Sequence, residues 1–399
     1  MLALRLARGA HPLVQLRRLL VAAASAGTGF LLLCTLAYAM EHPGTGAALR
    51  LAWCLAPIAA TVYFAVAVAR TDPGTRPRGG LSAVGLGPSR LMVLAATSTA
   101  VSCTLGSVLA LLFFLHLRGD ISGLPFDGAA TDLLAGDEPL PLAGALTLLA
   151  LVPIAASATS ALVLRPRRAT GAAKPAPAEP GAETGPAPAA DPNAPVRPPN
   201  GLPWGVALLA AGLAVETYAS RSGGTVRGGF PMPGGAGGGS AGVLAGWALT
   251  ALGLVLAGPG VTYFSGRLLQ AARPGALRLL AGRVLQEEAR RIGQPLGVLC
   301  AVASGAYAST VPYAGTGSQA GPLTALGGLL VAGCAVLTLA TAAVEARQAR
   351  SDTTGALLRL GAPTTLLRGS AVLRAGALVA VFGPLTWIVA ELAALPLQR

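Results

Sequence analysis

Long apolar runs alternate with short basic segments along the whole chain. Nine runs contain about 20 mainly apolar residues, the length that a helix needs to cross the hydrocarbon core of a membrane; they lie at 19–40, 51–69, 91–116, 141–164, 203–220, 242–265, 294–313, 322–345 and 370–394. Helices are favoured because hydrocarbon offers no partner for free backbone groups. The pattern predicts an all-α, polytopic integral membrane bundle of about nine transmembrane helices.

Composition excludes two classes of protein. With 53% hydrophobic and 11% charged residues, the chain is far from the composition of a cytosolic enzyme. Its net charge of +13 would suit a nucleic-acid binder, but aromatic residues make up only 5% of the chain and the arginines cluster between apolar runs. We therefore expect no nucleic-acid partner.

The basic residues predict the orientation of the chain in the membrane. If the N-terminus is cytoplasmic, 24 of the 29 Lys and Arg residues fall on the inner side, which is the bias that cytoplasmic segments carry. Nine spans would then leave the C-terminus outside. The preference for Arg over Lys and the abundance of Ala, Gly and Pro indicate a GC-rich bacterial genome. The expected location is the bacterial plasma membrane.

Two cytoplasmic stretches of the chain are similar to each other. Residues 81–88 (LSAVGLGP) align without gaps on residues 357–364 (LLRLGAPT), at an offset of 276 positions, and both lead directly into an apolar run. Upstream, the amphipathic stretch 4–18 resembles the stretch 277–291, at an offset of 273. A nearly constant offset indicates an internal duplication.

The duplication divides the chain into four segments. Residues 1–164 form the first repeat, an amphipathic elbow followed by four transmembrane helices, and residues 266–399 form the second, an elbow followed by three. Between them lie 165–202, a Pro/Ala-rich stretch expected to be a disordered cytoplasmic linker, and 203–265, with two connecting transmembrane helices. The second copy stops before its fourth helix, which indicates either a real truncation or an incomplete chain.

The two basic loops that contain these stretches, 70–90 and 346–368, resemble the cytoplasmic loop of FtsX-like (MacB-type) ABC transporter permeases. In that family the loop reads Leu-Arg-x-Leu-Gly-Ala, followed by small or polar residues and a basic helix. Residues 358–362 (LRLGA) fit this pattern well, and residues 82–86 (SAVGL) fit it loosely, without the arginine. In topology the resemblance covers nearly the whole chain. The chain differs from many members of the family because it lacks a large extracellular domain, and from the ten-span members because it has one span fewer.

The resemblance implies a short coupling helix that docks in a groove of a separate cytoplasmic ATPase, itself a dimer. A glycine after an apolar turn ends a helix, so a short helix and turn are expected at 79–90 and at 355–368. The candidate coupling residues are Arg76, Arg78, Gly85, Arg90, Arg347, Arg350, Arg359, Gly361 and Arg368. The alternative is that these arginines are ordinary anchors on the cytoplasmic side of the membrane.

No catalytic, cofactor or metal site is expected in this chain. Its only lysine, Lys174, lies in the linker without the glycine spacing of a phosphate-binding loop, so any ATP is bound by the partner ATPase. The three histidines are isolated, and no cysteines have zinc or disulfide spacing. No serine lies in a nucleophile motif. The chain is predicted to be a transport subunit rather than an enzyme.

A few ionisable residues fall in or beside the spans, where charge is unfavourable. Glu216 and Glu391 are expected to extend to the membrane interface, and Arg374 to extend inward or to pair with a partner carboxylate. Local pairing with the neighbouring arginines is expected for Glu287 and Glu288.

The predicted third span carries a stripe of small residues, Ser98, Ser102, Gly106 and Ala110, and a similar stripe begins with Gly376 and Ala380 in the ninth. Small residues let another helix approach closely, so packing within the bundle is the first interpretation. A dimer face or a substrate cavity is the alternative.

The sequence therefore predicts a membrane-spanning permease subunit that couples ATP hydrolysis by a separate subunit to export or extraction of a lipid, peptide or other hydrophobic compound. The alternative is a non-transporting FtsX-type regulator that signals to an envelope enzyme or a sensor kinase through outer loops, notably 117–140. A secondary transporter is disfavoured because paired midplane charges are absent. Membrane lipid is an expected partner, and a homodimer or a second permease chain stays open.

Overall fold

The chain folds into eleven helices in a computed structural model that describes residues 12–42, 45–71, 88–121, 128–131, 134–136, 138–165, 198–222, 241–271, 275–310, 321–361 and 363–395. No strand is present in these ranges. The helices are α1 (Pro12–Glu41), α2 (Thr45–Trp53), α3 (Leu55–Thr71), α4 (Pro88–Arg118), α5 (Leu142–Leu164), α6 (Leu202–Ser222), α7 (Ala241–Ala271), α8 (Ala276–Thr310), α9 (Pro322–Ala349), α10 (Ser351–Arg359) and α11 (Thr364–Ala394).

Eight helical segments are long and apolar enough to span a membrane, so the predicted all-α polytopic bundle is confirmed. They are Leu13–Glu41, Arg50–Thr71, Met92–Arg118, Leu142–Leu164, Leu202–Arg221, Gly242–Ala271, Pro322–Ala349 and Thr364–Ala394. The chain is thus a multi-pass membrane protein. The seventh predicted span, 294–313, is not among the eight. Its residues 294–310 form the second half of α8, where Gln294, Tyr307 and two serines lower the apolar content.

The N-terminal helices share one buried core. α1 packs along α4 and contacts α3 and α5, and α4 also packs on α5. Phe64 of α3 and Cys103 of α4 are fully buried there, together with Val21 of α1. Burial of such side chains among helices gives the bundle its van der Waals packing, which holds transmembrane helices together.

The C-terminal helices form a second core around α7 and α8. α7 packs along both α6 and α8, and α8 packs on α11. The backbones approach so closely that a Cβ atom added at Gly258 of α7 would lie 2.1 Å from the carbonyl oxygen of Gly293 in α8. Only glycine fits at this crossing, as at the glycine contacts of other membrane helices.

Helix α9 joins the two cores. It packs on α3 and α1 of the first core and on α8 of the second. Its Cys334 is buried among Phe64 and Cys103, with Leu330 and Leu337 against the same cluster. A helix from the predicted second repeat therefore forms part of the core of the first.

The second span is interrupted near one end. α2 ends at Trp53 and α3 begins at Leu55, so the break lies at Cys54. Pro57 explains its position, because the proline ring clashes with the carbonyl group four residues earlier, that of Trp53. The break lets α2 and the start of α3 take different directions.

Candidate functional site

A short exposed helix and turn connect α9 to α11. α10 contains nine residues, Ser351–Arg359, and α11 begins at Thr364. The predicted short helix at 355–368 is therefore present but begins four residues earlier. Both neighbouring helices are candidate spans, so α10 lies outside the membrane-spanning segments.

Gly361 ends this helix in the left-handed conformation. Its φ is +88°, and its N–H bonds to the carbonyl oxygen of Leu358 at 3.1 Å. A glycine just past the end of a helix has no Cβ to strain this conformation. The position that the sequence predicts as the helix stop is thus the point at which the chain turns towards α11.

A buried carboxylate fixes the start of α10 to the bundle. Glu288 of α8 is only 7% exposed, and its Oε1 lies 2.8 Å from Nε of Arg350, which joins α9 to α10. Its Oε2 lies 3.8 Å from Nη1 of Arg374 on α11. We call Glu288, Arg350 and Arg374 the inner ion cluster. It links three helices at the level where α10 begins.

The ion cluster has a carboxyl group that titrates near neutrality. Burial raises the pKa of Glu288 from 4.5 to about 7; the charges of Arg350 and then Arg291 oppose this shift, and that of Glu287 adds slightly to it. Desolvation disfavours the charged form, while nearby cations favour it. The protonation state of this carboxyl therefore changes within the physiological range of pH.

The local pairing predicted for Glu287 and Glu288 is only partly right. Glu287 pairs with Arg283 at 3.5 Å, one turn earlier on the exposed side of α8. Glu288 instead faces the bundle and pairs with Arg350 and Arg374. Arg374 accordingly meets a carboxylate of its own chain, because α11 packs along α8 at this height.

The other candidate coupling residues occupy different surroundings. Arg347, Arg359 and Arg368 are exposed near α10, and Arg90 is exposed in the first turn of α4. Arg76, Arg78 and Gly85 lie outside the described residues, as does most of the loop 79–90. The candidate coupling residues of loop 346–368 therefore lie at or near α10. Those of loop 70–90, apart from Arg90, lie outside the described residues.

Both carboxylates expected to extend to the interface have a hydrogen-bond partner on another helix, and Glu216 is buried in the bundle instead of reaching the interface. Glu216 of α6 is fully buried, and its Oε1 accepts a hydrogen bond from the indole N–H of Trp247 on α7 at 2.6 Å. Glu391 of α11 accepts one from the hydroxyl of Tyr307 on α8 at 2.9 Å. These pairs were missed because neither partner is close in sequence.

The two small-residue stripes differ in what they face. A Cβ atom added at Gly106 would lie 2.3 Å from the carbonyl oxygen of Ala22, so this part of α4 packs against α1. On α11, Gly376 and Ala380 are exposed. The first stripe is therefore a packing surface within the bundle, and the second faces its exterior.

Within the described residues, no three His, Cys, Asp or Glu side chains are grouped so as to hold a metal ion. Comparison of the chain with known proteins found no matching family model, no matching curated protein and no matching solved structure.

Proposed function

We propose that the chain is the membrane-spanning permease subunit of an FtsX-like ABC transporter. It couples ATP hydrolysis by a separate ATPase dimer to export or extraction of a lipid, peptide or other hydrophobic compound. The observation that carries the proposal is the exposed α10 turn, anchored to three helices by Glu288. The resemblance of residues 358–362 to the family's loop supports the same assignment.

The surface of this turn suits a protein partner. Leu358 is 43% exposed and Leu360 is 83% exposed, although both lie outside the membrane-spanning segments. Arg359 and Arg368 are exposed beside them. Apolar side chains rimmed by charge are typical of an interaction surface, and guanidinium groups favour acidic rims on the partner.

The inner ion cluster connects α10 mechanically to α8 and α11. Arg350 begins α10, and Glu288 connects it to α8 and α11. A partner that displaces α10 therefore acts on both helices that carry the cluster. Coupling follows if the nucleotide state of the ATPase favours one of two arrangements of these helices.

The predicted duplication supplies a second contact. Loop 70–90 would present the equivalent turn to the other ATPase of the dimer, so that each repeat contacts one ATPase. The matching pattern of contacts supports this: α1 packs along α4 and on α3, as α8 packs along α11 and on α9. On the proposed orientation both loops lie in the bacterial cytoplasm, with the N-terminus on the same side of the plasma membrane.

The test is ATPase stimulation in lipid nanodiscs. The wild-type chain is co-expressed with candidate ABC ATPases from the same genome, and ATP hydrolysis is compared with that of each ATPase alone. We expect at least fivefold stimulation, lost in Leu360→Asp and Arg359→Glu. Arg165→Glu, an exposed arginine at the end of α5, is the matched control and should leave stimulation intact. Full stimulation by both α10 variants would contradict the proposal.

The regulator remains the alternative proposal, and one observation favours a fixed outer surface for it. Arg118 is 4% exposed and donates a hydrogen bond to the carbonyl oxygen of Glu138, with its Nε 3.5 Å from Asp120. This fastens part of loop 117–140 to the end of α4. ATPase stimulation without any movement of a hydrophobic compound, together with capture of an envelope enzyme by this loop, would favour the regulator.

A further inference from the structure

A cavity of about 620 Å³ lies between the four helices α3, α7, α8 and α11, with Ala52 and Trp53 of α2 also in its lining. Its volume is within the range of small-molecule sites, about 300–1,000 Å³. Residues that line it include Trp53, Leu55, Trp247, Ala248, Ala301 and Val389. It is not sealed, because Leu55 is 62% exposed and Ala248 is exposed as well.

The cavity lies at the end of the bundle opposite α10. It is lined by the first turns of α3 and α7 and by the last turns of α2, α8 and α11. Along α8, Ala301 is 13 residues beyond Glu288, which at 1.5 Å per residue is about 20 Å. The cavity and the inner ion cluster thus lie about 20 Å apart along α8.

The walls of the opening belong largely to helices that are long and apolar enough to span a membrane. The lining residues of α2, α3, α7 and α11 lie in the candidate spans Arg50–Thr71, Gly242–Ala271 and Thr364–Ala394. Two polar groups of its walls have partners: Ser304 donates to the carbonyl oxygen of Cys300, and the N–H of Trp247 donates to Glu216. The hydroxyl of Thr250 is buried without a hydrogen-bond partner in the described residues, and it lies beside Gly212 of α6, where an added Cβ would lie 2.4 Å from it.

A ligand that reaches this cavity from the surrounding membrane would meet apolar walls. An occupant that needs hydrogen bonds would lose them on entry, and an unsatisfied polar group in an apolar site is unfavourable by about 1–3 kcal/mol. A hydrocarbon chain has no such requirement, and it is already at this depth in the bilayer.

We propose that the cavity binds one acyl chain of a membrane lipid or lipid-anchored compound, and that such an amphiphile is the substrate class. The statement about substrate rests on the proposed permease function; binding of the acyl chain does not. The head group would stay outside the cavity, at the interface beyond the ends of the four helices.

The test uses the full chain in nanodiscs of phosphatidylethanolamine and phosphatidylglycerol. A phosphatidylglycerol with a photoreactive diazirine at the end of one acyl chain is irradiated, and labelled peptides are quantified by mass spectrometry. We expect labelling of the lining residues of α7 and α8, reduced at least fivefold in Ala301→Trp and in Ala393→Phe, which fill the cavity from two different helices.

Ala380→Trp is the control, because Ala380 is an exposed alanine of α11 that does not line the cavity. Helical circular dichroism and size-exclusion profiles identify any variant that fails to fold, and the second filling variant then decides. Equal labelling of the lining residues in wild type and folded filling variants would overturn the proposal. So would selective protection of the cavity by a hydrophobic peptide but not by an unlabelled lipid.

The two proposals fail separately. Stimulation of the ATPase without labelling of the cavity would leave the permease standing and remove the acyl-chain substrate. Labelling of the cavity without stimulation by the chain would remove the permease and its substrate, while the lipid site would stand.

Discussion

The hydroxyl oxygen of Thr61 on α3 lies 3.9 Å from the sulfur of Cys334 on α9, 273 residues further along the chain. That separation equals the offset between the two predicted elbows. Thr61 also accepts or donates a hydrogen bond with Thr28 of α1 at 2.8 Å, so three helices meet at one buried polar contact. The contact places corresponding helices of the proposed repeats side by side.

The similarity of the two helices extends along their buried faces. Thr61, Ala65 and Ala69 are buried on α3, and Thr338, Ala342 and Ala346 are buried on α9. The members of each set are four residues apart. The last member of each set, Ala69 or Ala346, is followed directly by an arginine. Small residues on both helices permit the close approach that the Thr61 contact requires.

Thr61→Cys should form a disulfide with Cys334 on mild oxidation. The two side chains are already in contact, and a disulfide needs Cβ atoms about 3.5–4.5 Å apart. With a protease site inserted in the predicted linker, the two halves should stay joined on a non-reducing gel after cleavage. Thr61→Cys with Cys334→Ser is the control and should release them. Failure of the first variant to join the halves would contradict the α3 and α9 pairing.

Gly361→Ala should impair the α10 turn, whereas Gly355→Ala should not. Gly361 has a φ of +88°, a conformation that disfavours a Cβ by about 1–2 kcal/mol. Gly355 lies within α10 with no atom within 4 Å of an added Cβ, and alanine there favours the helix. We expect stimulation of the partner ATPase to fall severalfold in Gly361→Ala only. Equal stimulation by both variants would show that the turn geometry does not matter for coupling.

Stability should depend on pH through Glu288. Its pKa is about 7 in the folded protein against 4.5 ordinarily, so the folded state binds the extra proton between these values. Its contribution is present below pH 4.5 and is lost as pH rises through 7, with a slope of at most ~1.4 kcal/mol per pH unit. The difference in Tm between wild type and Glu288→Gln should therefore fall from pH 5 to pH 8.

Glu287→Gln is the matched control for this experiment, because Glu287 is 54% exposed and pairs only with Arg283 among the ion pairs of the described residues. Thermal unfolding in detergent micelles at several pH values gives the difference in Tm between the wild type and each of these two variants. A difference for Glu288→Gln that stays constant over this range would exclude the titration of a buried carboxyl at this position.

Trp247→Phe should be destabilising only while Glu216 is present. The substitution removes the N–H that Glu216 accepts at 2.6 Å and leaves a buried oxygen without its donor, which is unfavourable by about 1–3 kcal/mol. In a Glu216→Leu background the same change should have a much smaller effect. The free energy of unfolding in micelles is measured for the wild type, the two single variants and the double variant. Trp204→Phe is the control, because Trp204 is 71% exposed. Additive effects would exclude coupling between the pair.

The transmembrane helices are predictable from the sequence because the bilayer restricts which segments can cross it. Eight of nine spans were placed correctly because an apolar segment of this length must satisfy its backbone internally. The stop at Gly361 was likewise predictable, since it depends on one residue type. The seventh predicted span is not among the eight, because Gly297, Ser304 and Tyr307 in this part of α8 contribute little hydropathy.

The pairings of buried charges were not predictable in the same way. Glu288 has Arg290 and Arg291 close in sequence, but Arg290 lies two positions away and therefore on a different face of α8. Arg291, three positions away, opposes the rise in the pKa of Glu288 without forming one of the ion pairs found for Glu288 in the described residues. The partners of Glu288 are 62 and 86 positions further on and meet it only when α9 and α11 pack along α8. The cavity also depends on tertiary packing, since its lining comes from five separate helices.

The single helix α8 carries Glu288 in its first half and lines the cavity in its second half, and Pro295 lies between them. Proline removes the hydrogen bond that would reach back to the carbonyl group of Arg291. The two halves of α8 are therefore connected at a point with one backbone hydrogen bond fewer, about ten ångströms along the helix from Glu288. Displacement of the half that carries Glu288 would bend α8 at this point, and the other half would then change the width of the cavity available to a bound acyl chain.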